Sequence, residues 1–281
     1  MRKNLVVWNH QGNNQSVLHK AADLLKAHDQ KAVVVIFIND FHDEERLNTK
    51  HIASLEEQVH HILGADRVEE CLIAKGNKAA WIIEYCREHD VELVIKPWRR
   101  NKQHFYTKSD WQLIRHLNSH LLLVRAGKWD GYHRILAAVD VFEPSEVQKA
   151  VNKLVMERAS FWAETRNSQL DVVHCITMSK IAIELDMVEQ IEVEKSHKPL
   201  REAQLDKLVE QYQVPIERRH VLAGRPEQVI DKVANSLGAD LIVLGSQGKR
   251  AVGNLYLGDT ATRILEHLST DILIVRPMVD E

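Results

Sequence analysis

The chain has 281 residues, roughly twice the usual length of about 100 to 150 for one domain, so two domains, or one large one, are expected. Hydrophobic residues make up 44% and charged residues 27%, which excludes disorder as the main state. With 37 Lys and Arg against 40 Asp and Glu the net charge is -3, which offers no polycationic surface to a nucleic-acid backbone.

Asn4 to Asn9 (NLVVWN) reads as an opening strand. Val17, Leu18, Ala21, Ala22 and Leu25 then recur at helical spacing, and Ala32 to Ile38 (AVVVIFI) is a second strand. That run is the longest uninterrupted apolar one, far below the roughly 20 residues that span a bilayer, so no membrane segment is expected. A helix near Ile52 to Leu63, a strand near Val68 to Ala74 and a helix from about Asn77 to His89 follow. The strand Val91 to Pro97 (VELVIKP), a short helix and the strand His120 to Arg125 (HLLLVR) complete five strands and four helices.

Ile135 to Asp140 (ILAAVD) opens a second half, and a longer helix from Pro144 to about Trp162 carries Val147, Val151, Leu154 and Val155 on one face. Further on, Pro226 stands at a first helical position, Val229, Ile230, Val233 and Leu237 form an apolar stripe, and Gly238 lies just past the end. Ala239 to Gly245 (ADLIVLG) matches VELVIKP 148 positions earlier, and Asp271 to Arg276 (DILIVR) matches HLLLVR. One layout is thus written twice. Ala126 to Tyr132 (AGKWDGY) separates the copies, giving domains over 1–128 and 132–279. Continuous apolar strands alternating with helices predict α/β architecture: two tandem, doubly wound, five-stranded parallel-sheet sandwiches, packed as a pseudo-dimer. Ligands in such sheets sit beyond the carboxyl ends of the strands.

The chemistry is therefore expected after the strands of the second half. Gly245 and Gly248, then nine residues and Gly258 at a helix start, form a spacing that lets backbone approach a ligand and offers free N–H groups to phosphate. Lys249 and Arg250 add positive charge between them. Elsewhere no catalytic constellation emerges. Gly-x-Ser-x-Gly and the Walker loop are absent, and the sixteen histidines show no convergent ligand set. Cys71, Cys86 and Cys175 are widely spaced and odd in number, which fits neither a disulfide framework nor a zinc site. Cys86 lies in an apolar helical stretch and is expected to be buried and inert. With no signal-peptide pattern at the start, a cytoplasmic location is expected.

These residues resemble the universal stress protein family, whose nucleotide-binding members share Gly, two residues, Gly, nine residues, Gly and then Ser or Thr. Gly245, Gly248 and Gly258 match in spacing, Asp140 matches an Asp that ends the first strand near the adenosine, and Gly224 in HVLAGRPEQVI looks like the family's third-strand exit. The first half resembles the same fold. Thr107 to Arg115 and Ile181 to Leu185 are similar to the tandem E-type subgroup.

The resemblance implies an adenine-nucleotide alpha hydrolase-like fold and a stress-response protein that binds a ligand in its second domain, ATP with magnesium being the implied cofactor, without enzymatic turnover beyond slow ATP hydrolysis. Asp140 would contact the nucleoside, Gly245, Gly248, Gly258 and Thr260 would face phosphates, and Gly224, Lys249 and Asp259 would belong to the same site. Asp259 departs from the pattern, standing where Ser or Thr is called for, and brings negative charge towards a polyphosphate. The alternative is a non-nucleotide, apolar-tailed metabolite or a protein-interaction scaffold. A further alternative is a hydrolase of the related adenine-nucleotide class. In the first half Asn9 replaces the aspartate and Pro97-Trp-Arg-Arg100 the glycine pair, so no phosphate cradle is expected there. Ser109 and Gln112 read as a capping box for the helix that follows. Acidic and apolar residues interleave from Ile181 to Val193, as a flap over a cleft or as an edge helix. Expected partners are a small molecule and a second copy of the chain, not nucleic acid or membrane.

Overall fold

A computed structural model describes residues 3–9, 15–38, 49–98, 108–127, 131–142, 145–177, 187–246 and 270–277. The chain divides into two compact units, Met1–Gly131 and Tyr132–Glu281.

The first unit runs β1 (Lys3–Trp8), α1 (Ser16–Ala27), β2 (Ala32–Ile38), α2 (Thr49–Leu63), β3 (Val68–Lys75), α3 (Lys78–Glu88), β4 (Val91–Pro97), α4 (Lys108–His116) and β5 (His120–Val124). Its strands pair in parallel in the order β3-β2-β1-β4-β5. β2 lies between two neighbours and every one of its residues is buried, which is why it reads as a continuous apolar run rather than an alternating one. α3 starts where the Asn77 side chain accepts from the N–H groups of Ala79 and Ala80 at 3.1 and 3.2 Å.

The capping box expected at Ser109 and Gln112 is not formed. α4 already includes Lys108, and Ser109 Oγ is buried without a hydrogen-bond partner. A serine inside the first turn has left the non-helical conformation that lets its hydroxyl cap the helix. Asp110, fully buried in that turn, instead pairs with the buried Lys96 from β4, whose Nζ also donates to Pro97 O at 3.0 Å.

The second unit runs β6 (Arg134–Val139), α5 (Glu146–Arg166), β7 (Gln169–Thr177), α6 (Met187–Val209), β8 (Arg219–Gly224), α7 (Pro226–Leu237), β9 (Leu241–Gly245) and β10 (Asp271–Val275). The strands are again parallel, in the order β8-β7-β6-β9-β10. Strand order reverses between β6 and β9. α5 is capped by Ser145 Oγ, which accepts from Gln148 N at 3.2 Å, and it buries Val151, Asn152, Val155, Met156 and Ala159. Val147, expected on that stripe, is 54% exposed. A 21-residue helix is about 31 Å long and the six-residue β6 about 20 Å, so the first turns of α5 outrun the strand they accompany. α7 follows its sequence punctuation. Pro226 begins it, Gly238 ends it at φ 63°, and Ala239 N donates to Ala234 O at 2.9 Å. Leu237 is only half-buried, and Ala234 joins Val229, Ile230 and Val233 in the buried stripe.

The amino ends of the second unit's strands are pinned by a polar cluster. Asp171, fully buried, takes Arg134 Nε at 2.8 Å and His220 Nε2 at 2.9 Å. Burial alone would raise its pKa, but the hydrogen bonds from His220 and Arg134 outweigh this and hold the carboxyl below its ordinary value. Among the described residues, no helix is long and apolar enough to cross a membrane, and no cluster of His, Cys, Asp and Glu is arranged to hold a metal.

Candidate functional site at the carboxyl ends of β6 to β9

In the second unit the switch point lies between β6 and β9, where Ala138 pairs with Leu244. Asp140 follows β6 immediately. Its backbone is clamped from α5 by one side chain: Asn152 Oδ1 accepts from Asp140 N at 3.0 Å, and Asn152 Nδ2 donates to Asp140 O at 2.6 Å. Gln148 Nε2 donates to the same Asn152 oxygen at 2.9 Å. The Asp140 carboxylate, 51% exposed, accepts from Phe142 N at 2.9 Å, an Asx-type turn that leaves its second oxygen for another partner. A fixed backbone and a half-exposed carboxylate suit a hydrogen-bond acceptor aimed outward at a ligand.

His174 lies under this turn on β7, 1% exposed, with Nδ1 3.9 Å from Asp140 Oδ1. Nδ1 is 3.2 Å from Val139 O and 3.3 Å from Val141 N, and a neutral ring satisfies one of the two: as N–H it donates to the carbonyl, as a lone pair it accepts from the amide. Nε2 is buried with no hydrogen-bond partner. Burial lowers the pKa, and the Arg201 charge adds to that effect, against the Val139 carbonyl and Asp140. Next along β7, the Cys175 thiol donates to Gly224 O at 3.3 Å, and burial pushes its pKa up to about 12, so it remains a thiol. Gly224 itself ends β8 at φ 148°, a conformation L side chains rarely adopt, and the chain then enters α7 through Arg225 and Pro226.

Over Phe142 lies Arg201 of α6, its guanidinium carbon 4.3 Å from the ring centre. Arg201 is 8% exposed, its Nη1 donates to Gln204 Oε1 at 2.7 Å, and its Nε is buried without a partner. α6 begins at Met187, so the Met187 to Val193 part of the acidic and apolar stretch is helical, while Ile181 to Asp186 lies outside the described residues.

Gly245 has a packing role of its own. A Cβ built there would meet Val151 Cγ1 at 2.2 Å and Val155 Cγ2 at 3.1 Å, so the missing side chain is what lets α5 close onto β9. Ser246 continues the strand through its N–H, which donates to Val275 O at 2.9 Å. Asp140, Gly224 and Gly245 are thus brought to the carboxyl ends of neighbouring strands. Gly248, Lys249, Gly258, Asp259 and Thr260 lie outside the described residues, as do Arg99, Arg100 and Lys102 of the first half.

Asn152, His174 and Arg201 escape the sequence reading. Asn152 interrupts the apolar face of α5 and His174 an otherwise apolar strand, and a polar residue at a core position is the signal that could have found both. Arg201 has no such signal, because its burial depends on Phe142, 59 positions away in the chain.

The universal stress protein family model matches residues 1–125 and again 131–276. The chain is 28% identical over 212 residues to a universal stress protein E homolog of Haemophilus influenzae, covering 73% of this chain and 69% of that one. It is 26% identical over 200 residues to universal stress protein E of Escherichia coli K12, covering 70% of this chain and 60% of that protein's length. A universal stress protein A homolog of Coxiella burnetii is 33% identical over 146 residues, 51% of this chain and 96% of that one. In fold, the chain is similar to a functionally unknown protein from Pseudomonas aeruginosa PAO1, with TM-score 0.79 at 18% identity over 99% of this chain and 93% of the other. A universal stress protein from Archaeoglobus fulgidus gives TM-score 0.67 at 14% identity, over 98% and 99%. With two matches to the family model, a parallel α/β sheet in each unit and solved relatives of the same fold, the chain belongs to the universal stress protein family and carries two of its domains in tandem.

Proposed function

We propose that this protein serves the stress response by holding a small ligand at the carboxyl ends of β6 to β9 in its second domain, an adenine nucleotide being the first candidate, with no catalytic turnover beyond slow ATP hydrolysis. The observation that carries this reading is Asp140. Its carboxylate is half-exposed at the switch point, its backbone is clamped at both N and O by Asn152, and among the described residues nothing consumes its second oxygen. That is the geometry of an acceptor reserved for hydroxyl or amino groups of a ligand. The glycine spacing at Gly245, Gly248 and Gly258, with Lys249 and Thr260, would supply the phosphate end, and magnesium would offset phosphate charge there. In the first domain the buried Lys96–Asp110 ion pair joins the end of β4 to α4, which supports placing the ligand in the second domain.

The test is calorimetric titration of the full chain with ATP and magnesium, alongside native mass spectrometry of protein from its own host. Binding lost in Asp140→Ala and in Gly248→Trp, with both variants folded, is the expected result. ATP silence in the wild-type chain refutes the nucleotide reading. Asp259 and the exposed Phe142 and Leu200, 59% and 56% exposed, favour a second reading in which the same cleft takes a non-nucleotide ligand with an apolar part. In that case a different adduct mass accompanies the silence.

Three free cysteines whose thiols burial pushes up to about 11 at Cys71 and about 12 at Cys86 and Cys175 support a reducing, cytoplasmic setting. A homodimer of whole chains belongs to the same proposal, with sedimentation as its check.

A further inference from the structure

We propose that Arg201 is an anion-docking position at the Asp140 end of the second domain's cleft, where its free Nε edge takes a carboxylate or phosphate group of the ligand over Phe142. This rests on the reading that the carboxyl ends of β6 to β9 hold a ligand.

A guanidinium removed from water without a counter-charge loses much of its hydration, and such a charge is ordinarily paired. Three cations of this protein follow that rule: Lys96 has Asp110, Arg134 has Asp171, and Arg219 has Asp206 at 2.7 Å. Arg201 does not. Among the described residues it meets only the neutral Gln204 amide and the face of Phe142, and no carboxylate pairs with it. Asp140 accepts from Phe142 N and makes no ion pair with Arg201.

The way Arg201 is held explains what it is held for. Gln204 occupies Nη1, and the ring supports the guanidinium plane. This fixes the fork and leaves the side-on edge of Nε and Nη2, the edge that meets a carboxylate or phosphate with two parallel N–H donors. His174 adds a second enclosed group. In the tautomer whose Nδ1 accepts from Val141 N–H, the ring proton is on Nε2, which no described protein group takes up. In that tautomer the Arg201 Nε and His174 Nε2 donors both lack an acceptor among the described residues, and an anion would satisfy both.

The test is NMR titration of the full chain with inorganic phosphate and, separately, with acetate, following the Arg201 Nε–H and His174 ring signals. A saturable shift of Arg201 Nε–H is expected, with affinity falling about tenfold or more in Arg201→Gln and partially in Arg201→Lys, which keeps charge but loses the fork. A role in packing alone would leave the His174 titration indifferent to added phosphate. The charged groups acting on that ring are Asp140 and Arg201. A bound anion offsets the Arg201 charge, so the midpoint of His174 should rise with phosphate, should already be raised in Arg201→Gln, and should then ignore phosphate.

Response to phosphate alone assigns a phosphate-bearing ligand, and response to acetate a carboxylate; either supports the docking position. Flat Arg201 and His174 signals up to saturating salt, or equal affinity in folded Arg201→Gln, overturn it. ATP titration with Asp140→Ala separates the two claims. If ATP binds through Asp140 while Arg201 ignores anions, the anion position falls and the ligand reading stands. If Arg201 takes phosphate while ATP is ignored, the nucleotide falls and the anion position stands.

Discussion

Replacing Gly245 by alanine should destabilise the second domain through α5, independently of any ligand. The added Cβ would lie 2.2 Å from Val151 Cγ1 and 3.1 Å from Val155 Cγ2, where carbon atoms rest about 3.5 to 4.0 Å apart. Val151 is buried in the middle of α5, so the helix must lift or the valine must leave its rotamer, at about 1–3 kcal/mol. Gly245 does not have a positive φ, so no backbone strain contributes. Val151→Ala alone should cost about 2 kcal/mol for the apolar surface lost. In the double variant the methyl added at position 245 occupies the space the valine vacates, so the combined loss should fall short of the sum by about 1 kcal/mol or more. Urea unfolding of the four proteins, compared at equal m-value, measures this coupling. Strict additivity, or a Gly245→Ala protein as stable as wild type, would refute the packing argument. ATP titration of the double variant then isolates any contact Gly245 makes with a ligand.

Asp171→Asn should cost about 3–5 kcal/mol, because Arg134 and His220 lose the buried charge they share, and should leave ATP binding unchanged because Asp171 sits at the opposite strand ends. The folded Asp171 carboxyl binds its proton more weakly than the unfolded one, so its contribution is present above the ordinary value of about 3.9 and is lost as pH falls through the depressed one. Asp171→Asn should flatten that acid limb in unfolding measured against pH. Asn152→Leu should cost about 1–3 kcal/mol, since Asp140 N and O lose their partner in a half-buried turn, and should weaken ligand binding with it; unchanged binding would dismiss the clamp. If the second domain binds Mg-ATP, Asp259→Thr should raise the affinity about fivefold by removing one like charge, and an unchanged dissociation constant would show the carboxylate to be remote from phosphate.

Much of this was legible because apolar periodicity is local information. AVVVIFI could only be a strand covered on both faces, and Pro226 and Gly238 bracket α7 as their backbone preferences require. The duplication carried the fold class from one half to the other. What failed did so where the answer is set by a distant part of the chain. Val147 has the right spacing but lies where α5 outruns its sheet, and Ser109 has the right type but stands one turn position too deep. At the site, Asp140 was found from its place at a strand end, while Asn152 was hidden within an apolar stripe. Gly245 was read as a ligand glycine, and the sequence contains no indication that Val151, 94 positions earlier, needs the same space.

If the second domain is the binding one, the Lys96–Asp110 ion pair at the end of β4 gives the two domains unequal thermodynamics. A cleft that completes its own electrostatics gains nothing from an outside ion, so its opening equilibrium is indifferent to ligand concentration. The second domain, by contrast, is stabilised by RT ln(1 + [L]/Kd) wherever its ligand binds. Amide exchange should therefore slow in β6 to β9 as ligand is added while β1 to β5 keep their rates. The protein would then register a metabolite as a difference in rigidity between two halves of one chain, with the first serving as an internal reference of fixed stability.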